Sequence, residues 1–175
     1  SSPVEMSKIR LQVQNIGERT TRAERRFKGP VDVLTKMFKE EGIKAIVRLD
    51  VAGQDKYKWG DDFAVCYTPF ADTMSIPSGI IPKVTAFIHE QVENDTPVLV
   101  HCAAGVSRST TLTMAYLIEY EGMSLAEAFG TVREGRTQAY PHENLLISLI
   151  EHYDLPYDTN RVVNPRFISE LLTDV

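Results

Sequence analysis

The sequence predicts an α/β fold, with a central, mostly parallel sheet flanked by helices on both sides. Two observations carry this. Short β-rich runs alternate along the chain with stretches of helical apolar spacing, the order produced by parallel strands joined through crossover helices. The 175 residues are 43% apolar and 25% charged, an ordinary globular balance and enough chain to close one hydrophobic core. A single domain over residues 1–175 is therefore expected, with its core at about 7–155 and a C-terminal extension at 156–175.

Taken in order, residues 9–13 (Ile-Arg-Leu-Gln-Val) read as a short strand. A polar stretch follows with Arg19, Arg22, Arg25, Arg26 and Lys28, either a solvated loop or a surface for acidic or phosphorylated partners. Val31, Leu34, Met37 and Phe38 have helical spacing over 31–41, and Gly42 stands where a helix would stop. Residues 43–49 and 63–67 are β-rich, and a loop spans 68–75. The next helix covers about 80–92, its buried stripe drawn by Ile80, Val84, Phe87, Ile88 and Val92. A short apolar strand at 97–101 leads to helical character over 107–121. Ser124 with Glu127 opens a further helix as a capping box, and another runs over 142–153. Residues 155–160 are the one candidate linker. Asn164-Pro165 should start a last short amphipathic helix, cap residue then proline.

Several classes of function are disfavoured. A net charge of −5 argues against nonspecific nucleic-acid binding, so no nucleic-acid partner is expected. No apolar run is long enough to span a bilayer and no signal peptide is visible, although the chain opens on Ser1-Ser2 without Met, as a fragment would. Cys66 and Cys102 are too few for a disulfide scaffold, which fits a reducing, intracellular setting, cytoplasmic or nuclear. Oligomeric state has no signature.

The chemistry lies between the strand at 98–100 and the helix that begins near Ser107. The joining loop reads His101-Cys102-Ala103-Ala104-Gly105-Val106-Ser107-Arg108-Ser109. Amides there point above a helix N-terminus, where the macrodipole favours an anion, and Gly105 allows the tight turn. Arg108 can curl back to grip two phosphate oxygens. The same cradle stabilises a thiolate, the nucleophilic form of cysteine. His101 would brace the loop, and the Ser109 hydroxyl would donate to the Cys102 sulfur as it leaves. A bare Cys-x5-Arg could be a buried cysteine beside a surface arginine; the surrounding His, Gly, Ser and strand–loop–helix context argue against that.

Displacing an alkoxide or phenoxide from phosphorus also needs a carboxyl group to protonate the leaving oxygen. Of Asp50, Asp55, Asp61, Asp62 and Asp72, only Asp72 sits in a loop at the carboxyl end of a strand. A plain turn role for Asp72 is the alternative, and Asp61 and Asp62 read better as turn residues.

From Val98 onward the chain resembles the dual-specificity branch of the protein tyrosine phosphatase superfamily. The resemblance rests on His-Cys-x-x-Gly-x-Ser-Arg-Ser, Ala115-Tyr116-Leu117, Met123-Ser124-Leu125-x-Glu127-Ala128 and Val132-Arg133-x-x-Arg136, and extends loosely over residues 7–155. Pro69-Phe70-Ala71-Asp72 followed by Pro77 is similar to the family's acid loop. It implies a protein tyrosine phosphatase-like fold and metal-independent hydrolysis of phosphotyrosine and phosphoserine or phosphothreonine in proteins, through a phospho-cysteine and without cofactors. Cys102, Arg108, Asp72 and Ser109 would be catalytic. His101, Ala103, Ala104, Gly105, Val106 and Ser107 would bind the phosphoryl group, and Arg136 matches a second arginine that binds a neighbouring phosphate in some members. Residues alone say only that Arg133 and Arg136 share a helix-end face.

Two positions depart from the family pattern. Arg48 replaces a common Asn and suits either a phosphate-facing role or a structural ion pair, with Asp50 or with a neighbouring loop; Pro141-His142 replaces Pro-Asn. Cys66 reads as a small buried residue or as a disulfide guard for the nucleophile. Phosphoinositide or RNA 5′-phosphatase activity is an alternative, disfavoured by Ala103, Ala104 and Val106 where lipid-directed relatives often carry Lys. A phospho-binding pseudoenzyme is another, disfavoured by the retained Cys102 and Arg108.

Overall fold

The computed structural model describes residues 35–36, 38–51, 59–102, 107–135 and 137–174. The expected strand at 9–13 and the basic stretch at 19–28 lie outside the described residues. Strands β1 (Ala45–Arg48), β2 (Ala64–Tyr67) and β3 (Val98–His101) form a parallel sheet in the order β2-β1-β3. Parallel neighbours need long crossovers, and the chain between β2 and β3 supplies one in helix α1 (Ile80–Glu93).

Side-chain alternation gives the sheet two apolar faces, as the fold class required. Ala45, Val47, Cys66, Val98 and Val100 face the larger core. Ile46 and Leu99 face a smaller one made with Phe38, Ile43, Trp59 and Phe63. Trp59 opens a short 3-10 turn, Trp59–Asp61, and its ring meets Phe38 at 5.7 Å and Phe63 at 6.0 Å between centroids. The helical residues 35–36 and 38–40 are followed by Gly42, whose φ of 80° is costly for a residue with a Cβ. Ile43 N–H then returns to Phe38 O at 2.9 Å.

On the larger face α1 packs against β1, β3 and helix α2 (Arg108–Glu121). The α1 stripe includes Ile81, Val84, Ile88 and Val92, while the expected Ile80 and Phe87 are only partly buried at its margin. Every residue from Arg108 to Leu117 is buried, because α1, β3, α3 (Leu125–Gly135) and α4 (Glu143–His152) surround α2. Its hydroxyls survive there by bonding back to the preceding turn: Thr111 to Ser107 O and Thr113 to Ser109 O, each at 2.8 Å. The capping box that begins α3 is complete. Ser124 Oγ accepts from Glu127 N–H at 3.1 Å, and Glu127 Oε1 accepts from Ser124 N–H at 3.2 Å.

The C-terminal region departs from expectation. Residues 155–160 are no linker: Leu155 and Tyr157 pack against the core. Helix α5 (Thr159–Val162), absent from the sequence reading, is capped by Asp158 Oδ1, which accepts from Asn160 N–H at 2.9 Å. The last helix, α6 (Phe167–Thr173), starts after the Asn164-Pro165 pair. Asn164 Oδ1 accepts instead from Arg166 N–H at 2.9 Å, an Asx turn that places the first helical residue further on.

Candidate active site

The parallel register brings Arg48, Tyr67 and His101 level at the carboxyl edge of the sheet, where open α/β sheets bind ligands. Each strand then delivers one part of a site. β3 runs directly into Cys102, β1 into Leu49 and Asp50, and β2 into the loop bearing Asp72.

Cys102 is buried, and its thiol donates to Ser109 Oγ across 3.6 Å. In the thiolate that polarity must reverse, with the hydroxyl donating to sulfur. Ser107 Oγ accepts from the backbone N–H of His142 at 2.8 Å, which ties the end of the cysteine loop to α4. Ala103, Ala104, Gly105 and Val106 lie outside the described residues, as does Arg136.

Arg108 joins this loop to the acid loop. Its Nη1 donates to Phe70 O at 2.6 Å and to Leu49 O at 3.4 Å. Its Nε faces Asp72 Oδ1 across 3.9 Å, an ion-pair distance beyond hydrogen-bond reach, and both atoms are buried with no hydrogen-bond partner among the described residues. Such atoms are costly to leave open, and a phosphoryl oxygen between them would satisfy the guanidinium. The structure thus brings Cys102, Ser107, Arg108 and Asp72 together in one cleft of about 500 Å³, with Ser109 behind it against the Cys102 thiol.

Some residues of the site escaped the sequence reading. His101 Nε2 lies 3.1 Å from Trp59 Nε1–H, which donates to it, and the two rings meet edge to face. The sequence's single Trp among polar neighbours was the available signal. The acid loop is pinned to α4 twice: Asn144 Nδ2 donates to Thr73 O at 2.8 Å, and Ile76 N–H donates to Ser148 Oγ at 3.0 Å. His142 caps α4, its Nδ1 accepting from Asn144 N–H at 3.2 Å.

Arg48 is a buried partner of Asp50, with Nε donating to Oδ1 at 2.8 Å and its guanidinium 4.7 Å from the Tyr67 ring centroid. Burial alone would raise the Asp50 pKa, but the Arg48 hydrogen bond and the charges of His101 and Arg48 hold it below 3.8. Burial pushes the Cys66 thiol up, partly opposed by Lys83, which fits packing better than a reactive guard. Arg133 donates to Ala139 O at 3.1 Å and lies over the Phe129 ring. Among the described residues no group of three His, Cys, Asp or Glu could hold a metal ion, and no helix is long and apolar enough to cross a membrane.

Comparison with known proteins agrees with this geometry. The family described as "Dual specificity phosphatase, catalytic domain" matches residues 28–155. The chain belongs to the dual-specificity phosphatase family. Dual specificity protein phosphatase Mpk3 of Drosophila melanogaster is 34% identical over 114 residues, 65% of this chain and 28% of that protein. The match therefore spans less than a third of that relative. Human tyrosine phosphatase-like serine/threonine/tyrosine-interacting protein superposes with a TM-score of 0.62 at 26% identity, covering 68% of this chain and 82% of that one. PTPMT1 in complex with PI(5)P gives 0.62 at 21% identity, covering 71% and 86%, and shows the fold alone. In this dual-specificity phosphatase domain the cleft has one wall from outside the family match, at residues 162–165 and Ile168.

Proposed function

We propose that this domain hydrolyses phosphotyrosine and phosphoserine or phosphothreonine in proteins through a phospho-cysteine intermediate, without a metal. The observation that carries the reading is the facing pair of unpartnered atoms, Arg108 Nε and Asp72 Oδ1, in the cleft that holds Cys102. The Cys102 thiolate attacks phosphorus while Arg108 and the amides of the 103–107 loop hold the non-bridging oxygens. The ester P–O bond breaks, and the Asp72 carboxyl gives its proton to the departing oxygen. Water then attacks the thiophosphate and passes its proton to the Asp72 carboxylate. The P–S bond breaks, inorganic phosphate leaves, and Ser109 donates to the sulfur as its negative charge returns.

Asp72→Ala should lower kcat on a phosphopeptide by about 10²-fold or more, the usual scale of general acid–base catalysis. If turnover of a simple aryl phosphate at neutral pH survived that change intact, the acid assignment would be wrong. Cys102→Ser should abolish turnover. Initial rates on phosphotyrosyl, phosphothreonyl, phosphoinositide and RNA triphosphate substrates, all in EDTA, separate the competing substrates. Loss of every activity in EDTA would sink the metal-free mechanism. A lipid headgroup is the second reading, favoured by the solved neighbour that binds PI(5)P and opposed by the lysine-free cysteine loop.

A further inference from the structure

The family match ends at residue 155, yet the segment that follows helps to build the catalytic cleft. Val162, Val163, Pro165 and Ile168 form one side, and Tyr140 reaches the cleft from the loop after α3. Val163 is 56% exposed and Tyr140 50% exposed, unusually open for apolar side chains that share a cleft with Cys102. This wall is firmly held. Phe167 and Leu171 are buried, Phe167 meets Tyr157 edge to face, and Arg161 Nη2 pairs with Glu170 Oε2 at 2.7 Å across the α5–α6 junction.

Charge on the lining is one-sided. Arg108 is the only Lys or Arg among the described lining residues, and Asp72 and Glu143 are acidic. Once Arg108 holds a phosphoryl group, no further Lys or Arg among the described lining residues attracts a second anion, while the outer wall offers open apolar surface.

We propose that residues 162–168 form a specificity wall that selects phosphorylated protein segments bearing an apolar side chain next to the phosphorylated residue. This rests on the phosphatase reading above. The flanking side chain lies against Val163 and Tyr140 and removes apolar surface from water, whereas an acidic neighbour meets Glu143 and no further Lys or Arg among the described lining residues.

The test uses the full chain and phosphopeptides differing only in the residue beside the phosphorylated one: Leu, Asp or Lys. An aryl phosphate serves as the internal reference for chemistry. The wild-type kcat/KM should favour the Leu peptide over the Asp peptide by at least tenfold. Val163→Lys should cut that preference to within about twofold, and Val163→Glu should move discrimination toward the Lys peptide. A purely structural role for Val163 would change both variants alike. The proposal is overturned if the wild type turns over the aryl phosphate but treats all flanks equally, or if neither variant alters the ratios. No turnover of the aryl phosphate by the wild type overturns the phosphatase reading itself, and the wall proposal with it.

Discussion

Arg108 shows how one side chain can serve two loops. Backbone carbonyls at Phe70 and Leu49 hold one end of its guanidinium, and Nε remains for a phosphoryl oxygen. Lysine could not hold both ends at once, so Arg108→Lys should lose both phosphate binding and the grip on the acid loop, raising KM and lowering kcat together. Trp59 is a positioning residue of the same site. Trp59→Phe keeps the ring but removes the Nε1–H that His101 Nε2 accepts, and should cost about 1–3 kcal/mol, the scale of a buried acceptor left unsatisfied. Urea unfolding measures this, and unchanged stability would show that the bond contributes nothing. Asp50 makes a pH prediction. Its pKa is held below 3.8 in the fold, so the unfolded chain binds the proton more tightly. Its contribution is fully present above pH 3.8 and disappears as the pH falls through the lower folded value. Asp50→Asn should flatten that acid limb. It should also destabilise at neutral pH by roughly 3 kcal/mol, because the buried Arg48 loses its partner.

At the scale of elements, α4 acts as a clamp. Asn144 and Ser148 pin the acid loop, and the His142 N–H pins the end of the cysteine loop through Ser107. Asn144→Ala combined with Ser148→Ala should lower kcat several-fold by loosening Asp72, with little effect on stoichiometric alkylation of Cys102; equal losses in both would point to general unfolding. The capping box of α3 is farther from the chemistry. Ser124→Ala should cost about 1 kcal/mol of stability with kcat/KM unchanged. Both elements were legible in sequence, α3 from its box and α4 as a helix over 142–153. The clamp was not legible, because Thr73 and Asn144 lie 71 residues apart and no local pattern links them.

For the whole molecule, the C-terminal segment belongs with the core. Val162, Phe167 and Leu171 are buried in the same cluster as the sheet and α2. Ending the chain at Asp158 should remove about 6–12 kcal/mol, from Val162, Phe167, Ile168 and Leu171 at about 1.5–3 kcal/mol each. A single unfolding transition by circular dichroism and fluorescence would support one cooperative domain; a shortened chain as stable as the full one would show the extension to be separate.

The family and the proposed reaction were readable from the sequence because a phosphate cradle is local. Nine consecutive residues from His101 to Ser109 carry the proposed nucleophile, turn, guanidinium and leaving-group donor, and their spacing along a strand, loop and helix dictates what they can reach. The α/β alternation was readable for the same reason, since apolar periodicity is a property of neighbours in sequence. Only the tertiary structure decided what depends on contacts across the chain. It paired Arg48 with Asp50, set Trp59 behind His101, pinned the acid loop to α4, packed an expected linker against the core, and made residues 162–168 a wall of the cleft. Burial made those choices, because a partner for a buried polar atom, or a cover for an apolar face, comes from whichever segment the fold brings near.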